Sequence, residues 1–240
     1  MKRTLPFIRI REQEWMDDAV RPAVLEGICY LLQFTGEKEP NLQYSRADRT
    51  EDYRNADGSL KPYKSVDWYR TRGGDWKKKT GELNADAILS ALCERTPRKG
   101  GLWSPRGSRE PYKILVVQDK LYSPKNERYV NGIAQEWKGA IITSLGARKL
   151  VKERFSQYFR HLAMHEMGHV LGLVPKERTE EAVDNGCTRN HCTNSCAMRN
   201  GSLMEKGLLN GFLTPDKNTY PDYLCSRCQE DLRGYFQDKS

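Results

Sequence analysis

His165-Glu166-Met167-Gly168-His169 lies inside a run, Lys152 to Leu171, whose apolar residues (Phe155, Tyr158, Phe159, Leu162, Met164) recur at helical spacing. Residues four apart on a helix sit one above the other. His165 and His169 can therefore offer their imidazoles to one cation from one face, with Glu166 beside them. Gly172 is placed to stop the helix, and Pro175 bars its continuation. A second cluster follows, His191-Cys192-Thr193-Asn194-Ser195-Cys196-Ala197-Met198, and then Cys225-Ser226-Arg227-Cys228. An isolated HExxH means little. Metal-ligand residue types in this order are far harder to obtain by chance.

A catalytic zinc typically takes three protein ligands and keeps a fourth position for water. The chain has four histidines: His161, His165, His169 and His191. His161 stands one turn before His165. It is also eight residues from His169, about 12 Å along a straight helix, too far for ligands about 2 Å from a single ion. His191 is the candidate third ligand. The chemistry expected is peptide-bond hydrolysis by a zinc-activated water. Zinc lowers the pKa of water to about 7 and polarises the scissile carbonyl. Glu166 would take the proton as general base and return it to the leaving amine. An aspartate there would reach less far, and a glutamine could not accept the proton.

Seven cysteines in a chain whose N-terminus, Met1 to Val20, has no apolar core of a signal peptide point to metal binding in a reducing compartment, the cytoplasm, rather than to disulfides. Cys29 and Cys93 sit in helical patterns and read as small core side chains. Cys192, Cys196, Cys225 and Cys228 form two close pairs, the donor set of a closed, structural four-thiolate zinc site. Cys187 is a spare that could replace Cys192. Two zinc ions are expected, one catalytic and one structural.

The 240 residues suffice for one sizeable core with a small metal-stapled lobe, and the apolar runs are too short to cross a bilayer. Net charge is +8, and residues 61–113 contribute most of it, with 13 Lys/Arg against 6 Asp/Glu. That segment interleaves Lys77-Lys78-Lys79 with Trp68, Tyr69, Trp76 and Trp103, a pattern shared by solvated basic surfaces and nucleic-acid footprints.

Pro6 to Glu12 alternates apolar and charged residues and reads as a strand; Asp17 to Phe34, with Val20, Val24, Ile28, Leu31 and Leu32, reads as a helix. Asn41 to Arg46 is a weaker strand, and residues 47–81 read as a long polar excursion. Asn84 to Arg95 is a helix capped by Asn84. Ile114 to Val117 is a buried strand, Tyr129 to Gln135 a glycine-containing edge strand, and Lys138 to Leu145 another strand. This order implies an α+β fold with a mixed sheet flanked by helices. Residues 1–172 read as a sheet subdomain ending in the active-site helix, and 173–240 as a subdomain holding the third ligand and the cysteines.

The motif set resembles that of the archaemetzincins, a metzincin-like family of zinc metallopeptidases. The matching residues are His165, Glu166, His169, Gly172, His191, Cys192, Cys196, Met198, Cys225 and Cys228. Upstream, Asn84 to Leu89 and Ile114 to Tyr122 resemble the family's helix and its strand-plus-Asp segment. The resemblance implies a metzincin-like zincin fold with a small zinc-stapled C-terminal lobe, and a Met-turn at Met198 beneath the zinc. It also implies that a peptide or protein substrate extends along the edge strand, at Asn131, Gly132, Ile133 and Ala134, by main-chain pairing. The chain departs from the family pattern between Gly172 and His191. There Leu173 to Asn190 intervene as an insertion, expected to loop out before the chain returns to the metal.

A competing reading makes the chain a zinc-stabilised binding protein, nucleic-acid associated through residues 61–113. A third joins the two, a protease recruited to nucleic acid. The intact Glu166 favours the enzyme, because a retired site has no chemical need for it.

Overall fold

The computed structural model describes residues 8–13, 17–36, 42–46, 66–73, 75–77, 82–94, 111–145, 152–175, 178, 191–192, 194, 196–199 and 223–236. The chain forms two compact units: residues Pro6–Met16 with Asn41–Leu145, and residues Met1–Leu5, Asp17–Pro40 and Gly146–Ser240.

The first unit is built on a five-stranded sheet. Its strands are β1 (Ile8–Glu12), β2 (Leu42–Arg46), β5 (Tyr112–Val117), β8 (Gly132–Gln135) and β9 (Gly139–Thr143), in the order β2-β1-β5-β9-β8. β1 pairs in parallel with β2 and β5, and β5 in parallel with β9. β8 lies antiparallel to β9 at the edge. The apolar runs of β5 and β9 are buried on both faces, as central strands of a parallel sheet require. Leu115, Val117 and Ile141 pack with helix α3 (Ala85–Cys93) through Ile88, Leu89 and Leu92. The α3 N-terminus is capped as the sequence predicts: the Ala87 N–H donates to the Asn84 side chain at 3.0 Å.

A four-stranded sheet completes this unit, with β3 (Asp75–Lys77), β4 (Glu82–Asn84), β6 (Lys120–Ser123) and β7 (Arg128–Val130) in the order β3-β4-β6-β7. The stretch expected as one strand, Tyr129 to Gln135, is thus two. It divides at Asn131 between β7 in the small sheet and β8 in the large one. The excursion read over 47–81 contains helix α2 (Val66–Gly73) and β3. Val66 and Tyr69 of α2 enter the core beside α3; two apolar positions in a polar run are too few to show as periodicity.

The second unit pairs α1 (Val20–Leu32) with α4 (Lys152–Val170) and carries α5 (Ser226–Phe236). Along α1 the buried stripe is Val20, Ala23, Val24, Gly27, Ile28, Leu31 and Leu32, the repeat of an amphipathic helix. Cys29 falls outside that stripe and is exposed, so it is not the core side chain expected; Cys93 is partly buried against the core beside α3. α1 and α4 meet closely at Gly27, where a Cβ would lie 2.4 Å from the Arg160 carbonyl oxygen. From His161 to Leu173 every residue of α4 and its exit is buried.

α4 ends as Gly172 predicts. Gly172 adopts φ 77°, its N–H donates to the His169 carbonyl at 3.1 Å, and the Leu173 N–H donates to Gly168 at 2.9 Å. These two bonds make a Schellman cap. Val174, two residues on, also has positive φ, at 58°, a strained backbone for a β-branched residue. No described helix is long and apolar enough to cross a membrane.

Candidate metal centres

His165 and His169 stand one turn apart on α4, and His191 comes to them from the segment that follows the insertion. The Nε2 of His169 lies 3.2 Å from that of His165 and 3.3 Å from that of His191. Nitrogens bonded tetrahedrally to zinc at 2.0–2.1 Å would be separated by about 3.3 Å. The three side chains are 6–9% exposed, so a cation held there exchanges its water shell mostly for imidazole.

The Nδ1 of His165 lies 2.7 Å from the Ala197 carbonyl oxygen. A carbonyl only accepts, so Nδ1 carries the proton and Nε2 keeps its lone pair for a metal. Burial, followed by the neighbouring His191 and His161, lowers the His165 pKa to about 3, against the pull of that hydrogen bond. The ring is therefore neutral, the ligating form. His161 stacks beside His165 with ring centroids 6.2 Å apart and stays out of the trio. Glu166 is 6% exposed.

One short loop supplies several groups at once. The Cys192 N–H donates to the Met198 carbonyl at 2.8 Å, and the Arg199 N–H donates to Cys196 at 3.0 Å. These bonds tie Cys192 to Met198 and Cys196 to Arg199. His191, Cys192, Cys196 and Met198 are thereby fixed to one frame. Met198 is fully buried, and its sulfur occupies the space beside Gly168, where a Cβ would lie 2.3 Å from it. Glycine inside HExxH thus has a steric reason, which the motif alone does not disclose.

Cys192, Cys196, Cys225 and Cys228 form the second cluster. Cys225 precedes α5 and Cys228 lies in its first turn. Cys192 and Cys225 sulfurs are 3.7 Å apart, and Cys196 and Cys228 sulfurs 3.9 Å apart. Sulfurs bonded tetrahedrally to zinc at about 2.3 Å are separated by about 3.8 Å, whereas a disulfide would need about 2.05 Å. The Cys192 pKa is pulled far down because Cys196 and Cys228 donate to its sulfur; those two are raised for the same reason. One thiolate is thus solvated by its neighbours, and ionising all four calls for a cation. The Asn194 Nδ2 donates to Cys225 at 3.5 Å, and backbone N–H groups of Asn194 and Cys225 donate to Cys192 and Cys196. Both donor sets fit zinc.

The fold has solved counterparts. The archaemetzincin of Methanopyrus kandleri superposes with a TM-score of 0.55 at 18% identity, covering 97% of each chain. The fold is that of the archaemetzincins. An archaemetzincin from Archaeoglobus fulgidus, complexed with malonate, gives 0.51 at 16% identity over 93% of this chain and 99% of its own. A zinc-dependent peptidase from Methanocorpusculum labreanum gives 0.53 at 17% over 94% and 99%. No protein-family model matches the sequence, and no curated protein does. On this archaemetzincin-like α+β frame, the structure brings together the seven expected metal ligands in two groups, three histidines and four cysteines. Cys187 lies outside the described residues, as do most of the insertion and about half of the basic segment 61–113.

Sequence reasoning missed Arg178. It stands in the insertion, in the charged run Lys176-Glu177-Arg178 that was expected to loop out. Its side chain is instead buried, donating to Cys228 at 3.4 Å, to Cys192 at 3.8 Å and to Asp231 at 2.9 Å. No motif marks an arginine for this position.

Proposed function

We propose that the chain is a zinc-dependent metallopeptidase, with His165, His169 and His191 holding a catalytic zinc and the four cysteines a structural one. The observation that carries this reading is the His169 Nε2 at tetrahedral-edge separation from those of His165 and His191, with buried Glu166 on the helix that bears His165 and His169. Zinc, when bound, supplies a Lewis acid that acidifies water and polarises a carbonyl. Three protein ligands leave a corner open for solvent and substrate, whereas four thiolates leave none, so the chemistry belongs to the histidine centre.

Glu166 is the general base and then the acid toward the leaving amine. The Ala197 carbonyl holds His165 in the ligating tautomer, and Met198, buried against Gly168, forms the apolar floor. A peptide or protein is the substrate. β8 pairs only with β9 among the described residues, and its main chain at Gly132 to Ala134, with Asn131 before it, offers pairing to an extended peptide with little side-chain selectivity. Reduced cysteines suit a cytoplasmic setting.

Zinc content and peptide hydrolysis of the native chain and of Glu166→Gln test this. Two zincs in both, with hydrolysis at least about a hundredfold lower in the variant, is the expected result. Equal hydrolysis would remove Glu166 from the mechanism. A native chain with two zincs and no hydrolysis of any peptide would favour the binding-protein reading.

A further inference from the structure

We infer that Arg178 is a positioning residue of the four-cysteine centre, bracing from outside the metal's own ligands the two segments that supply them. Cys192 belongs to the 191–199 loop and Cys228 to the first turn of α5. Arg178 reaches both: Nη2 donates to the Cys192 sulfur at 3.8 Å and Nη1 to the Cys228 sulfur at 3.4 Å. The inference rests on the reading of these cysteines as a zinc site.

The chemistry asks for such a donor. Four thiolates around a dication carry a surplus of negative charge, and Cys192, Cys196 and Cys228 are at most 2% exposed. Water cannot solvate those sulfurs, so protein N–H groups must. Backbone and amide donors serve Cys192, Cys196 and Cys225. Arg178 is the charged donor that spans both segments. A guanidinium presents its N–H groups in a fixed fork, so one side chain can serve two sulfurs and a carboxylate together.

The guanidinium is itself held. Asp231, one turn along α5 from Cys228, accepts from Nη1 at 2.9 Å, and the Arg178 N–H closes a turn onto the Pro175 carbonyl at 3.0 Å. Asp231 offsets part of the positive charge, and Arg227 lies close enough to act on it in return. The same carboxylate accepts the N–H of Val174, the residue with strained φ just past the cap of α4. Val174, just past the end of the HExxH helix, and Arg178 therefore meet on one carboxylate beside the cysteine centre. Metal-ligand partners of this kind typically change metal affinity by roughly ten- to a hundredfold when removed.

The test uses the full chain loaded with cobalt, whose sulfur-to-metal charge-transfer absorption reports the thiolate centre alone. Decay of that band after addition of a chelator gives the release rate for native, Arg178→Met and Arg178→Lys proteins. Release roughly ten- to a hundredfold faster in Arg178→Met, with Arg178→Lys intermediate, is expected; lysine keeps the charge and loses the fork. A native rate in Arg178→Met would overturn the inference. Should Arg178→Met not fold by circular dichroism, Arg178→Lys decides, and a native rate there would overturn it equally. A native chain with no sulfur-to-cobalt band at all would instead overturn the zinc-site reading beneath.

Discussion

Gly27→Ala sets two effects of opposite sign against each other at the contact between α1 and α4. Alanine is favoured over glycine inside a helix by about 1 kcal/mol. The new Cβ, however, would stand 2.4 Å from the Arg160 carbonyl oxygen, 3.2 Å from its carbon and 3.3 Å from the Ala163 Cβ. Ordinary carbon–oxygen contacts begin near about 3.3 Å, so the helices must separate by about 1 Å. The obstacle is backbone, which no rotamer change relieves, and overpacking of this kind costs about 1–3 kcal/mol. The steric term offsets the propensity gain and leaves a net loss of up to about 2 kcal/mol. For a chain of this size that lowers the thermal midpoint by up to about 8 °C. Gly234→Ala is the control, because nothing lies within 4 Å of its added Cβ on α5; there propensity acts alone and the midpoint rises. Both midpoints follow from thermal unfolding by circular dichroism. If Gly27→Ala rises with the control, the close approach of α1 to α4 is wrong.

Two further substitutions separate stability from metal binding. Met198→Ala empties a fully buried site against Gly168 and should cost about 2–5 kcal/mol; denaturant titration reads the loss, and zinc content should stay at the native value because the thioether is outside the donor set. Asn84→Ala removes the α3 cap and should cost about 1 kcal/mol by the same titration; a change below a few tenths would mean that the Ala87 N–H finds another acceptor.

The features legible in the sequence are those whose cause is local. Apolar runs became β5 and β9, Asn84 became a cap, and Gly172 became the stop of α4, because each follows from period, side chain or backbone within a few residues. The two candidate donor clusters were legible because zinc admits few residue types at few spacings. What was hidden depends on neighbours distant in the chain. The break at Asn131 exists because two different sheets claim the residues on either side. Val66 and Tyr69 enter the core only once α3 supplies a face for them. Cys29 looked apolar by its neighbours, yet its helical phase turns it outward. Arg178 and Gly168 take their meaning from Cys192, Cys228 and Met198, none of which a local reading can bring to them.

Zinc-edge X-ray absorption with metal analysis, on the native chain and on His191→Ala, bears most directly on the histidine centre. The native chain should hold two zincs, with a shell divided between sulfur at about 2.3 Å and nitrogen or oxygen at about 2.0–2.1 Å; His191→Ala should hold one, with sulfur alone. A native chain with a single zinc in an all-sulfur shell, unchanged by His191→Ala, would leave the three imidazoles without a metal and contradict the proposed chemistry.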